Sequence, residues 1–123
     1  MIGTLQCVVL DCTDSLELAR FYRGLVGGDV NRPDRRWSLD DGWATLHTPA
    51  GFVLCFQTVE DHRPPRWGDP TRPQQSHLDI DVESLATAHH QVTELGATML
   101  DERQGWRIYA DPAGHPFCLI GRP

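Results

Sequence analysis

Residues 42 to 55 read GWATLHTPAGFVLC, and residues 105 to 118 read GWRIYADPAGHPFC. The two stretches align without gaps at an offset of 63, and six of their fourteen positions are identical. Ordinary residue usage would give about one identity by chance, and the shared Trp and Cys are rare residues. The chain therefore contains an internal duplication.

The regions in front of these stretches also correspond. Residues 7 to 14 (CVVLDCTD) match residues 77 to 84 (HLDIDVES) in strand pattern at an offset of 70. Each half is predicted to form a strand, a helix, a short strand and a β-hairpin that turns at Pro-Ala-Gly. We predict one domain over residues 1–123, with module 1 at 1–58, a proline-rich linker or lid at 59–75 and module 2 at 76–123.

Both predicted helices have start and stop signals. Asp14 is an expected N-cap with Glu17 three residues later, and Gly27 ends that helix. Ser84 begins the second helix and Gly96 ends it. The apolar stripes are Leu18, Phe21, Tyr22 and Leu25 in the first helix and Leu85, Ala88, Val92 and Leu95 in the second.

The strand predicted at residues 76 to 82 alternates between apolar and polar side chains. Leu78, Ile80 and Val82 share one face, which we expect to meet the helices. His77, Asp79 and Asp81 share the other face.

Composition excludes several classes of function. The net charge of −6, with scattered arginines, argues against nucleic-acid binding. The apolar runs are no longer than a strand, so no membrane span is expected. The N-terminus lacks a signal-like pattern, and a cytoplasmic protein is therefore predicted. Four cysteines without a C-x-x-C pair indicate free, buried thiols.

Four segments carry a resemblance to a known family. Residues 14–22 (DSLELARFY), 76–82 (SHLDIDV), 95–100 (LGATML) and 111–120 (DPAGHPFCLI) resemble the vicinal-oxygen-chelate superfamily, which includes glyoxalase-like, bleomycin-resistance and extradiol-dioxygenase-like proteins. The resemblance implies an α+β fold in which two tandem β-α-β-β-β modules form a curled eight-stranded mixed sheet around a cavity. It also implies a homodimer.

The resemblance further implies four positions for metal ligands. They fall on Cys7, Cys55, His77 and Cys118. None is a carboxylate, which disfavours the isomerase, dioxygenase and fosfomycin-modifying activities of the superfamily, since these need a Glu or Asp beside the metal. Two interpretations stay open. The four residues bind zinc or iron, or the thiols pack as small apolar groups while His77 is hydrogen-bonded to Asp79 or Asp81.

The four tryptophans are a second group of candidates. Trp37, Trp43 and Trp106 are predicted to line the cavity and stack on a flat ligand, with core or dimer packing as the alternative. Trp67 is the candidate lid residue. The candidate ligand-binding residues are Cys7, Trp37, Trp43, Cys55, Gln57, His77, Trp106 and Cys118.

Other polar residues receive weaker interpretations. Four arginines could contact a ligand carboxylate or phosphate, with a solvated surface as the alternative; they are Arg35, Arg36, Arg63 and Arg66. His89 and His90 are expected in solvent. His47, His62 and His115 stand at no catalytic spacing.

Three functions follow from these patterns. The first is a metal-free protein that binds or sequesters a small apolar or aromatic metabolite or antibiotic in the cavity between the modules. The second is a metal-dependent lyase, isomerase or oxygenase with an altered Cys/His ligand set around zinc or iron. The third is a dimerisation module without a ligand.

Overall fold

The computed structural model describes residues 1–37, 40 and 42–122. The chain divides into two compact units, Met1–His62 and Arg63–Pro123. Each unit has one helix and four strands in the order β-α-β-β-β. The predicted α+β fold of two tandem modules is therefore confirmed.

Unit 1 contains a four-stranded mixed sheet. Its elements are β1 (Val8–Cys12), α1 (Ser15–Val26), β2 (Asp29–Val30), β3 (Trp43–His47) and β4 (Val53–Thr58). The strand order is β1-β4-β3-β2. β1 runs parallel to β4, and the other two pairs are antiparallel. The hairpin between β3 and β4 turns at Pro49-Ala50-Gly51, as predicted.

Unit 2 repeats this topology. Its elements are β5 (Leu78–Val82), α2 (Leu85–Leu95), β6 (Thr98–Arg103), β7 (Trp106–Ala110) and β8 (Pro116–Gly121). The strand order is β5-β8-β7-β6, with β5 parallel to β8. The eight predicted strands are thus arranged as two four-stranded sheets, one in each unit.

The helix of unit 1 packs on one face of its sheet. The carboxylate of Asp14 accepts a hydrogen bond of 3.1 Å from the N–H of Glu17, which confirms the predicted N-cap. Tyr22 stacks on Phe56 with 5.7 Å between ring centroids. The remaining buried residues of this core are Leu10, Cys12, Leu18, Ala19, Phe21, Ala44, Leu46 and Leu54.

Unit 2 builds its core from different aromatic residues. Tyr109 of β7 stacks on Phe117 of β8 with 5.5 Å between ring centroids. The Tyr109 hydroxyl also shares a hydrogen bond of 2.9 Å with Nδ1 of His89 on α2. The expectation that His89 lies free in solvent was wrong, because α2 turns this side chain toward the sheet. Ser84 caps α2 and Gly96 ends it in a left-handed conformation, as predicted.

The segment after His62 is folded on itself rather than extended. The backbone N–H of Arg66 donates to the carbonyl of Arg72 at 2.8 Å. The guanidinium of Arg72 donates to the carbonyl of Pro64 at 2.6 Å. The division between the units falls at His62, inside the predicted linker, so most of that stretch belongs to unit 2.

Pro64 packs against the Pro-Ala-Gly turn of unit 2. A Cβ atom added to Gly114 would lie 2.4 Å from the Cβ of Pro64, whereas a Cβ added to Gly51, the duplicate position, would meet nothing within 4 Å. Both glycines have a positive φ, 90° and 91° respectively. An alanine would therefore meet the same backbone strain at both positions, but only at Gly114 would its Cβ clash with Pro64.

We predict that Gly114→Ala destabilises the protein more than Gly51→Ala. The left-handed conformation costs about 1–2 kcal/mol for Ala at either site, and only Gly114→Ala adds a clash. Urea unfolding should show at least about 1 kcal/mol more loss for Gly114→Ala, as expected for overpacking. Equal losses would contradict the contact between Pro64 and the turn.

Candidate functional site

Each sheet has one face against its helix, and we call the opposite face the far face. Because side chains alternate along a strand, the helix-side residues determine which residues lie on the far face. In unit 1 the far face holds Val9, Asp11, Trp43, Thr45, His47, Val53, Cys55 and Gln57. In unit 2 it holds Asp79, Asp81, Trp106, Ile108, Ala110, Pro116, Cys118 and Ile120.

A group of polar atoms is buried without partners on the far face of unit 1. The atoms are Nε1 of Trp37 and Trp43, Oγ1 of Thr45, and both ring nitrogens of His47, none of which is hydrogen-bonded among the described residues. Thr45 is 0% exposed and His47 is 8% exposed. The ring of Trp37 lies edge-on to that of His47, with 5.1 Å between centroids. A buried polar group that stays without a partner costs roughly 1–3 kcal/mol.

Trp37 is positioned by the loop that precedes it. The guanidinium carbon of Arg36 lies 4.5 Å from the centroid of the Trp37 ring. Arg36 also pairs with Asp34 at 2.7 Å and lowers the pKa of Asp34 to about 2. Asn31, with a φ of 55°, donates its backbone N–H to the carbonyl of Thr45 at 2.9 Å, and its side-chain Oδ1 accepts from the N–H of Thr45 at 3.0 Å. The backbone of Thr45 is therefore satisfied, and its hydroxyl is the atom left without a partner.

Two of the predicted metal positions come together in unit 1. Cys7 lies just before β1, and its thiol is next to that of Cys55 on β4. Burial, together with the neighbouring Cys7, raises the pKa of Cys55 to about 12. The Cys55 thiol is therefore protonated at neutral pH.

The other two predicted metal positions come together in unit 2. Nε2 of His77 lies 3.4 Å from the carboxylate of Asp79. One ligand atom from each of His77, Asp79 and Cys118 lies within 4.8 Å of the other two. Burial, and then the nearby Asp79, raises the pKa of Cys118 to about 11. The site thus joins nitrogen, oxygen and sulfur donors on one surface.

The sequence analysis did not include Asp79 among the candidate metal ligands and treated it as a hydrogen-bond partner of His77. The alternation of β5 places His77 and Asp79 on one face, and the register pairs Asp79 with Cys118. Val9 occupies the equivalent place beside Cys55 in unit 1. The sequence His77-Leu78-Asp79 already shows that Asp79 shares a strand face with His77. The four metal positions implied by the family resemblance did not include Asp79.

The tryptophans lie outside the helix-side cores. Trp43 and Trp106 occupy equivalent positions on the two far faces, and Trp37 covers His47. Trp106 is 42% exposed, and Gln57, another candidate, is also exposed. The helix-side cores use Phe and Tyr instead.

Trp67 belongs to a separate cleft in unit 2. The cleft measures about 570 Å³ and is formed by the 65–74 segment and the start of β8. Arg66 contributes its side chain to the lining, and the other walls are mainly prolines. Trp67 is 42% exposed. The other three candidate arginines are also exposed; they are Arg35, Arg36 and Arg63.

The architecture of two tandem β-α-β-β-β modules is that of the vicinal-oxygen-chelate superfamily. A family profile described as a glyoxalase-like domain matches residues 7–120, and the chain belongs to that family. A search among curated proteins finds no match.

Solved structures with the same fold include fosfomycin resistance proteins. FosX from Listeria monocytogenes has 18% sequence identity and a TM-score of 0.70, with 100% of this chain and 96% of that chain covered. FosX from Mesorhizobium loti has 14% identity and a TM-score of 0.69, with 100% and 94% covered. A hypothetical protein from S. aureus has 18% identity and a TM-score of 0.69, with 99% of both chains covered.

One further FosX structure contains ligands. The E126Q mutant of the Listeria monocytogenes protein is complexed with Mn(II) and 1S,2S-dihydroxypropylphosphonic acid, at 19% identity and a TM-score of 0.71 with 100% of this chain and 95% of that chain covered. At these identities the likeness establishes the fold.

Neither described helix has the length and apolar character needed to cross a lipid bilayer.

We predict slow alkylation of two thiols in the folded protein. Iodoacetamide reacts with thiolates, and the raised pKa values keep Cys55 and Cys118 protonated up to about pH 11. Mass spectrometry at pH 8 should show both residues unmodified until urea is added, with the rate rising as the pH approaches 11. Rapid labelling of Cys118 at pH 8 would contradict the protonated state.

Proposed function

We propose that the protein binds and sequesters a small, largely apolar or aromatic molecule on the far faces of its sheets, without a catalytic metal. The observation that carries this proposal is the placement of Trp37, Trp43 and Trp106 away from the helix-side cores. Large aromatic rings contribute most to binding when they cover a flat partner. Trp106 is 42% exposed and Trp43 is partly exposed, so these two rings are available for a ligand, whereas Trp37 is only 7% exposed.

The thiols on these faces support binding rather than metal chemistry. Cys55 and Cys118 are protonated at neutral pH and behave as small apolar groups. With the tryptophans they make surfaces that are mainly uncharged, apart from the carboxylates of β1 and β5. An apolar wall with a few placed polar groups is typical of small-molecule sites.

The test is a ligand screen by tryptophan fluorescence in the presence of EDTA, followed by variants. For an aromatic ligand found in the screen, Trp43→Phe should weaken binding about 2- to 10-fold through lost stacking and area. Trp67→Phe is the control, because Trp67 lies in the separate cleft. A loss confined to Trp67→Phe would place the ligand in that cleft and contradict the proposal.

One observation favours a second candidate, a metal-dependent enzyme. His77, Asp79 and Cys118 offer three different donors within 4.8 Å of one another. Ligands bound to one zinc ion at 2.0–2.3 Å lie roughly 3–4 Å apart, so small rotations of the exposed His77 and Asp79 would suffice. This donor set fits zinc or ferrous iron. Bound there, the ion would supply Lewis acidity and an activated water.

The two candidates differ in their dependence on metal. For the enzyme, the protein purified without a histidine tag or chelator should hold about one zinc or iron per chain by mass spectrometry. Cys118→Ser should remove it. Cys55→Ser, the duplicate position in unit 1, should leave it in place, because the donor set lies in unit 2. Metal-free protein with full ligand binding would leave sequestration as the function.

A further inference from the structure

We propose that the far face of unit 1 binds an acceptor oxygen of an aromatic carboxylate or carbonyl compound, through Trp37, Trp43, Thr45 and His47. This inference rests on the proposed small-molecule binding and names the ligand group that the protein recognises. It starts from the five buried polar atoms that have no partner among the described residues. Such atoms are a stability cost that a bound acceptor would remove.

The chemistry of the cluster is that of a donor set. An indole N–H only donates, a neutral imidazole donates from one nitrogen, and a hydroxyl can donate or accept. Trp37, Trp43, Thr45 and His47 therefore supply one donor each. The cluster is complementary to a group rich in lone pairs, and carboxylate or carbonyl oxygen has that character.

Two acidic residues near this cluster, Asp29 and Asp34, are engaged elsewhere. Asp29 lies opposite His47 in the pairing of β2 with β3, but its carboxylate is paired with Arg32 at 2.6 Å. Asp34 is paired with Arg36 at 2.7 Å. Neither carboxylate hydrogen-bonds to the cluster, and no other described residue does so. An acceptor supplied by a ligand would satisfy it.

The duplicated unit shows that the fold does not need these polar groups. The positions equivalent to Thr45 and His47 are Ile108 and Ala110 in unit 2, which forms the same sheet. Trp43 alone has a matching residue, Trp106. Because apolar residues stand at the equivalent positions, this sheet does not need a polar side chain at Thr45 or His47.

The surroundings point to an aromatic body for the ligand. The acceptor would lie beside the indole ring of Trp37, which is edge-on to His47 with 5.1 Å between ring centroids. Trp37 follows a segment, residues 31–36, that has neither helix nor strand. A planar ring with an attached oxygen therefore fits the site, and benzoate is the simplest probe.

The first experiment measures stability without any ligand. In Thr45→Val the partnerless hydroxyl is replaced by a methyl group of similar size, so the melting temperature should rise by about 2 °C or more. Thr48→Val is the matched control, because the Thr48 hydroxyl donates to the Phe52 carbonyl at 2.8 Å and accepts from its N–H at 3.1 Å. This control should melt at a lower temperature. A lower melting temperature for Thr45→Val would overturn the proposal, since the hydroxyl would then have a structural partner.

The second experiment follows the indole N–H signals in ¹⁵N NMR spectra. Benzoate, benzamide and toluene are added in turn, up to their solubility limits. The expected result is a downfield shift of the Trp37 and Trp43 signals with benzoate or benzamide. In Thr45→Val the affinity for the same probe should be at least about fivefold weaker, as expected for one lost hydrogen bond. Benzoate alone would identify a carboxylate, and both probes would identify any carbonyl oxygen.

The failure of this inference is distinguishable from failure of the proposed function. If toluene perturbs the far-face tryptophans and neither oxygen-bearing probe shifts the two N–H signals downfield, the acceptor site is refuted while apolar binding stands. If no probe moves the Trp37 or Trp43 signals, the acceptor site is refuted as well. Shifts confined to Trp67 would refute both proposals.

Discussion

Packing of an aromatic pair on the helix side of each sheet is the interaction on which the rest of the structure depends. In unit 1 the stack joins Tyr22 and Phe56, and in unit 2 it joins Tyr109 and Phe117. Since strand side chains alternate, fixing one face against a helix assigns every other residue to the far face. A shift of one residue would bury Asp79 and His47 under the helices. Residues on the far face do not contribute to the helix-side core, so polar and aromatic side chains can stand there.

Duplication let the two far faces acquire different chemistry. Where unit 1 has Cys7 and Val9, unit 2 has His77 and Asp79, and among the residues that the structure describes the mixed donor set lies beside the cysteine of unit 2. In the other direction, Thr45 and His47 of unit 1 stand where unit 2 has aliphatic residues. The two units therefore share a topology, but unit 1 presents hydrogen-bond donors and unit 2 presents side chains of the kinds that bind metals.

Much of the fold could be predicted from the sequence, because the repeated GW…PAG…C pattern and the helix caps at Asp14 and Ser84 act locally. The pairing of His77 with Cys118 followed from the family resemblance. The contact between Trp37 and His47 could not be predicted, because Trp37 lies in a loop ten residues before His47 and no local pattern links the two. His89 was misjudged because its partner, Tyr109, lies twenty residues away. Dimer formation and cytoplasmic location stay predictions.

The central claim is that the far face of unit 1 is a ligand-binding surface rather than packing. A crystal structure of the protein grown with benzoate tests it most directly. We predict the carboxylate within about 3.2 Å of Thr45 Oγ1 and of an indole nitrogen of Trp37 or Trp43, with the ring against the indoles. Benzoate bound only in the cleft beside Trp67, or side chains of the protein itself satisfying Thr45 and His47, would contradict the account.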